Sequence, residues 1–241
     1  MQVRTLIVAA AAAGIASNAA ADSVQLKYVG KGQGRNIEFK LGSASYKDVF
    51  AGQLKHQFSN GTGALASFTG THITFCTDLT EVVTSTTKTY QLAPIASLPQ
   101  TPNWPAMGPV RAQALHDLYA AAGGLHKLAG VDNDFAAAFQ IAIWEIVYDY
   151  NGDASSLNLV QGNFRARAAN GSSLDNGILT RVAELFSAIG NSALQSGLYG
   201  LTNDGAQDQL IDYIVPIPPA AMAGFAGLGL AAFVRRRMTR R

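Results

Sequence analysis

The chain has 241 residues, 48% hydrophobic and only 14% charged, with a formal charge of +2. That balance is carried by its ends. Taking Arg4 and the five arginines at 235–237 and 240–241 out of the 18 basic residues leaves 12 against 16 acidic ones, about −4. A body with no basic run lacks the cationic footprint that nucleic-acid binding requires, which excludes that class.

In chain order, the N-terminus comes first. Arg4, the apolar stretch Leu6–Ile15 and Ala19-Ala20-Ala21 predict a signal peptide over 1–21, handed to the Sec machinery and cut before Asp22. The mature part, about 195 residues, is enough for one domain or two small subdomains. Residues 22–97 read as mainly β. Alternation predicts strands over Ser23–Tyr28, Asn36–Leu41 and Tyr46–Phe58, with Gly30, Gly32, Gly34 and Gly42-Ser43 as turns. A Gly/Ser/Thr loop follows over 59–71. Ile73–Leu79 is expected as a strand, paired with Thr84–Leu92. Pro99, Pro102, Pro105 and Pro109 mark a connector.

Residues 110–190 read as mainly helical. Val110–Ala122 ends at Gly123-Gly124. A second helix, capped by Asp132 or Asn133, runs to about Tyr150 and stops at Asn151-Gly152. Leu174–Ile189 is a third, stopped by Gly190. Residues 207–214 are expected to be a closing strand. The predicted class is α+β: an antiparallel β-sandwich or barrel with an inserted three-helix subdomain over 22–214.

The tail, 215–241, is a Pro-rich turn, an uncharged apolar run from Ala220 to Val234, and an arginine cluster led by Arg235, Arg236 and Arg237. As a helix the run covers roughly 22 Å of a hydrocarbon core about 30 Å thick, so it is a short transmembrane helix with its arginines on the cytoplasmic side. Val215-Pro216-Ile217-Pro218-Pro219-Ala220 resembles the Val-Pro-Leu-Pro-Ala box of PEP-CTERM sorting signals, with Ile for Leu and one inserted Pro. The resemblance implies a Gram-negative host and an exosortase that removes the tail near the box. Attachment to the inner membrane is then transient, and the protein ends at the cell surface or in the extracellular matrix.

Export makes the cysteine count informative. Cys76 is the only cysteine, so no intramolecular disulfide can form, and a lone thiol in an oxidising compartment needs an explanation. Two segments stand out: Phe75-Cys76 on the expected strand, and Gln140-Ile-Ala-Ile-Trp144 on the expected second helix. Gln140, Trp144 and Tyr148 are spaced i, i+4, i+8 and share one helix face. His72, Thr74, Cys76 and Asp78 share one face of the strand, and that face is expected to meet the helix bearing Gln140.

Phe75-Cys76 together with Gln140-x-x-x-Trp144 resembles the thioester domains of bacterial surface proteins. The resemblance implies that the Cys76 thiol attacks the Gln140 amide, ammonia leaves, and an internal thioester awaits an amine on a surface or matrix target. That is one covalent adhesion event, not enzymatic turnover, and it needs no cofactor. The family usually has Thr or Ser directly before the Gln; this chain has Phe139.

Other readings of the same residues stay open. Free Cys is commonly a buried packing residue, Gln140 can be a core amide bonded to backbone, and Trp144 fits core packing. The scaffold is then a non-reactive matrix protein. Cys76 with His116 or His126 and an Asp would make a hydrolase dyad, though no Gly-rich nucleophile loop surrounds it. Asp149, Asn151 and Asp153 alternate as calcium ligands do, but Val160 stands where the closing Glu belongs, and a helix C-terminal turn fits better.

Overall fold

The structure, a computed structural model, describes residues 22–124, 128–191 and 197–212. The signal peptide and the whole sorting signal, including Val215, Pro216, Pro218, Pro219, Ala220 and Arg235–Arg237, lie outside these residues. Among the described residues no helix is long and apolar enough to cross a membrane.

Among the described residues, seven antiparallel strands form a nearly closed ring, and three helices complete an α+β fold. The strands are β1 (Ser23–Leu41), β2 (Lys47–Ser59), β3 (Gly70–Cys76), β4 (Lys88–Ala93), β5 (Phe164–Ala168), β6 (Leu198–Asn203) and β7 (Ala206–Asp212). Their order is β2-β3-β7-β6-β4-β1-β5, and β2 also pairs with β1, which brings the sheet back on itself. This is the barrel-like alternative of the two expected.

The first correction concerns the glycines. Gly42-Ser43 is a turn as expected, but Gly30, Gly32 and Gly34 do not end strands: β1 is one strand of 19 residues, and its register against β2 slips between Tyr28 and Gly30 and between Lys31 and Gly34. Gly34 sits opposite Gly52, both at positive φ. A Cβ on Gly34 would come within 2.3 Å of the Ala51 carbonyl oxygen, and one on Gly52 within 2.3 Å of that of Gln33. Only glycine permits this approach, so the bulge bends the hairpin rather than breaking it. The bend lets the first part of β1 pair with β4 and the last part with β5.

The second correction concerns pairing. β4 lies between β1 and β6 and does not pair with β3. The partner of β3 is β7, which closes the sheet as expected of 207–214, as far as the described residues extend. The stretch 110–190 also contains a strand, β5, on the edge of β1.

The helices are α1 (Gly108–Ala121), α2 (Asn133–Tyr148) and α3 (Asn176–Ser187). Asp132 caps α2, its side chain accepting the Phe135 N–H at 2.8 Å. Every residue of α2 from Ala136 to Tyr148 is buried. A helix apolar all round belongs in the centre of a core, and α2 packs on β1 and β2 with α3 on its other side. Its start is tied to the β1 bulge: Asn133 Oδ1 accepts the Gly34 N–H at 3.1 Å, and Arg35 pairs with Asp134 at 2.7 Å.

Candidate functional site

The site lies where β3 outlasts one of its neighbours. Pairing of β3 with β2 ends at Leu54 opposite Thr74, whereas pairing with β7 continues through Cys76 opposite Gln209 and on to the Thr77 N–H, which donates to the Asp208 carbonyl at 3.1 Å. On the β2 side, the N–H and C=O of Cys76 therefore have no strand to pair with. Gln140 takes that place. Its Oε1 accepts the Cys76 N–H at 3.0 Å, and its Nε2 donates to the Cys76 carbonyl at 2.8 Å. One side-chain amide thus continues the β ladder by two bonds.

The whole expected face of α2 is used on the same segment. Gln140 grips Cys76. Trp144, fully buried, acts on the Cys76 thiol through its indole N–H, which has no partner of regular hydrogen-bond geometry. Tyr148 accepts the Leu79 N–H on its hydroxyl at 2.8 Å. The opposite face of the strand end meets the same helix, because the Phe75 ring packs edge-on against Phe139 at 4.9 Å. The expectation that only the Cys76 face meets the helix was thus too narrow: α2 straddles the end of β3. Phe139, where the resembled family has a hydroxyl, is 2% exposed and spent on this packing.

The thiol is buried, 3% exposed. Burial first, and the Asp78 charge second, push its pKa well above the ordinary thiol range. The Trp144 indole and the backbone N–H groups of Cys76 and Asp78 oppose this without reversing it. Cys76 is a protonated thiol at neutral pH. A nucleophilic thiolate of the kind a Cys hydrolase uses is disfavoured here, since no histidine is among the groups acting on it. His72 stacks on Phe68 and bonds the Thr69 carbonyl at 2.8 Å, and His56 bonds Thr74 at 2.9 Å. His126 lies outside the described residues.

Cys76 is not sealed in. It lines an open-mouthed cavity of about 350 Å³ between the β1–β2 hairpin and the segment 79–83, with Tyr28, Phe50, Leu54 and Val83 among its walls and Glu81 and Gln207 on its polar side.

Buried carboxyls near this strand end escaped the sequence analysis. Asp78, Glu145 and Asp208 are 0% exposed. Burial raises Glu145 to about 8, opposed by the Asn158 N–H that it accepts at 2.5 Å. Burial likewise raises Asp208 to about 7, opposed by the N–H groups of Gln100 and Asn203. The only signal in the sequence was Glu145 within an otherwise apolar helix. Asp78 and Asp208 are brought together by the β3–β7 pairing alone.

The alternating oxygens at 149–153 do not form a cation site. Asp149 is occupied by the N–H groups of Asn163 at 2.7 Å and Phe164 at 2.7 Å, where it anchors β5, and Asp153 caps the turn at Ser155. Among the described residues no group of three metal-ligating side chains gathers. No protein-family model, curated protein or solved structure matches this chain.

Proposed function

We propose that this is an exported surface or matrix protein in which Cys76 and Gln140 join as an internal thioester that a target amine opens once. The observation that supports it is the double hydrogen bond holding the Gln140 amide against the backbone of Cys76. An amide bonded to the N–H and C=O of one residue lies in the plane of the sheet, whereas the side chain of that residue leaves the plane. Attack on an amide carbon comes from out of its plane, so the thiol is on the correct side of the geometry.

Bond formation is then local. Sulfur adds to the Gln140 side-chain carbon, negative charge develops on Oε1, and the Cys76 N–H already donates to that oxygen. The thiol proton passes to Nε2, the C–N bond breaks and ammonia leaves. Holding both groups in one dry site supplies the effective concentration that a poor acylating agent needs. With Phe139 in place of a hydroxyl, the polarising group is the backbone N–H.

Intact-mass measurement of the purified protein tests this. A thioester lowers the mass by one ammonia, and Cys76→Ala or Gln140→Ala restores it. A wild-type mass without that loss, with a titratable thiol on unfolding, overturns the reading.

A second reading is favoured by the same two bonds: they give both the oxygen and the nitrogen of a buried core amide a partner. The protein is then a non-reactive matrix component, and Cys76→Ser leaves its localisation and surface phenotype intact. Either way the tail is proposed as an address read by an exosortase after Sec export. Mass analysis of the surface form is then expected to find a chain ending near the box at 215–220, and recovery of the chain with Arg235–Arg237 intact overturns it.

A further inference from the structure

We propose that Glu81, acting with Asp78, takes the proton of the nucleophile that opens the Cys76–Gln140 bond; this rests on the thioester reading above. Glu81 and Cys76 line the same open cavity, so a molecule that enters it from solvent can meet both residues. The cavity also carries Lys31, Lys47 and Asp48 on its β1–β2 wall. Lys31 lies over the Phe50 ring of that wall at 4.6 Å and reaches toward Asn36 at 3.4 Å.

The carboxyl pair lacks what it would need to rest fully ionised. Oε2 of Glu81 and Oδ2 of Asp78 are buried, and neither receives a hydrogen bond. Asp78 Oδ1 is satisfied by the Thr80 N–H and hydroxyl at 2.6 and 2.8 Å, so the empty oxygen is the one available to Glu81. Two carboxylates facing one another cannot donate to each other. A proton on Glu81 satisfies both oxygens and removes the repulsion. The neighbouring carboxyls make a proton more welcome still: Asp204 lies on the β6–β7 turn and Asp208 on β7, while Tyr90 on β4 is a neutral phenol. Among the described residues no cation forms an ion pair with Glu81. Burial, and then the Asp78 charge, accordingly raise the Glu81 pKa.

The chemistry needs such an acceptor. A primary alkylamine is an ammonium ion at neutral pH and attacks only after losing a proton. The ionised pair accepts that proton. The neutral nitrogen then forms a bond to the Gln140 carbonyl carbon while the C–S bond breaks. The second nitrogen proton passes to the departing sulfur, which its burial beside Asp78 makes strongly basic. The products are a secondary amide on Gln140 and the Cys76 thiol, with atoms and charge balanced.

The test is aminolysis of the purified full-length protein by n-propylamine, followed by intact mass from pH 5 to 9, with rates expressed per ammonium ion, the form that the pair deprotonates. Wild type is expected to start one ammonia light and to react faster as pH rises through a limb displaced above the ordinary Glu range. Glu81→Gln is expected to keep the mass deficit, lose that limb, and react about 100-fold more slowly at pH 7. Asp78→Asn removes the neighbouring charge, so its limb should move to lower pH. A Glu81→Gln protein with the deficit, reacting at the wild-type rate with the wild-type limb, overturns the role of Glu81 and leaves the thioester standing. If Glu81→Gln does not fold, an unmoved limb in Asp78→Asn overturns it instead. Absence of the deficit in wild type overturns both.

Discussion

Two clusters of buried side chains fill this molecule, and they are built on opposite rules. The smaller sits inside one end of the ring: Val24, Leu26, Phe58, Leu65, Tyr90, Leu201, Ala206 and Ile211. It is apolar except for the Tyr90 hydroxyl, which donates to the Gln207 carbonyl at 3.3 Å. The larger lies around α2 and encloses Cys76, with the buried polar groups Gln140 and Glu145 on the same helix. Between the two runs a string of buried polar contacts: His56 to Thr74 at 2.9 Å, Thr74 to Gln209 at 2.8 Å, Gln209 to the Gln207 carbonyl at 3.0 Å, and Gln207 to the Asp78 carbonyl at 2.6 Å. Apolar packing stabilises without direction. Buried polar groups cost stability unless satisfied, and they fix geometry. The difference teaches that the small cluster stabilises its end of the ring by apolar packing alone, while the larger core around α2 combines more extensive apolar packing with buried polar groups that fix the position of the β3 end.

The largest expected effect breaks the small cluster. Phe58→Ala removes a 1%-exposed ring and should cost about 3–5 kcal/mol in denaturant unfolding. An effect below about 1 kcal/mol would mean that apolar packing does not hold this end of the ring.

The next goes the other way. Glu145 titrates at about 8 in the fold against 4.5 in the open chain, so the folded state holds its proton longer. Its contribution is intact below pH 4.5 and is lost as pH rises toward 8. Glu145→Gln should leave stability unchanged at pH 4 and raise it by on the order of 3–4 kcal/mol at pH 9. Parallel pH–stability curves for variant and wild type would refute this.

His56 sharpens the comparison from the acid side. Burial lowers it to about 4 from 6.5, so the unfolded chain binds the proton first. Stability is intact above pH 6.5 and falls as pH drops toward 4. His56→Gln should remove roughly 2–3 kcal/mol of that acid loss without altering the alkaline limb that Glu145 controls. Urea titrations at pH 4, 7 and 9 separate the two limbs.

The smallest effect is at the surface. Arg35 and Asp134 pair at 2.7 Å with side chains 48% and 30% exposed, and Arg35→Ala should cost less than about 1 kcal/mol, a loss that shrinks in high salt.

The helices were legible because their signals are local. Asp132 caps α2 where expected, and the i, i+4, i+8 face of Gln140, Trp144 and Tyr148 lands on Cys76 and Leu79. The strands were harder. Gly30 and Gly34 read as turns because a single chain does not reveal that Gly52 waits opposite one of them. β5 escaped although Phe164 and Ala166 alternate with Arg165 and Arg167, since five residues between helices carry little weight alone. β6, interrupted by Gly200 against Leu98, escaped for a similar reason. The Asp78–Glu81–Asp208 group was beyond reach, because it depends on a β3–β7 pairing between residues more than a hundred positions apart.

The Gln140 amide bridges two layers across 64 residues of chain. A thioester there would be a cross-link as well as a warhead, in a chain whose single cysteine allows no disulfide. Closing a loop of that length restricts the unfolded ensemble by about 4 kcal/mol. Reaction with a target would cut this staple at the moment the new bond forms, so the spent protein should melt at a lower temperature than the armed one. Firing would leave a mechanical record: a domain tethered to its target and loosened between sheet and helix.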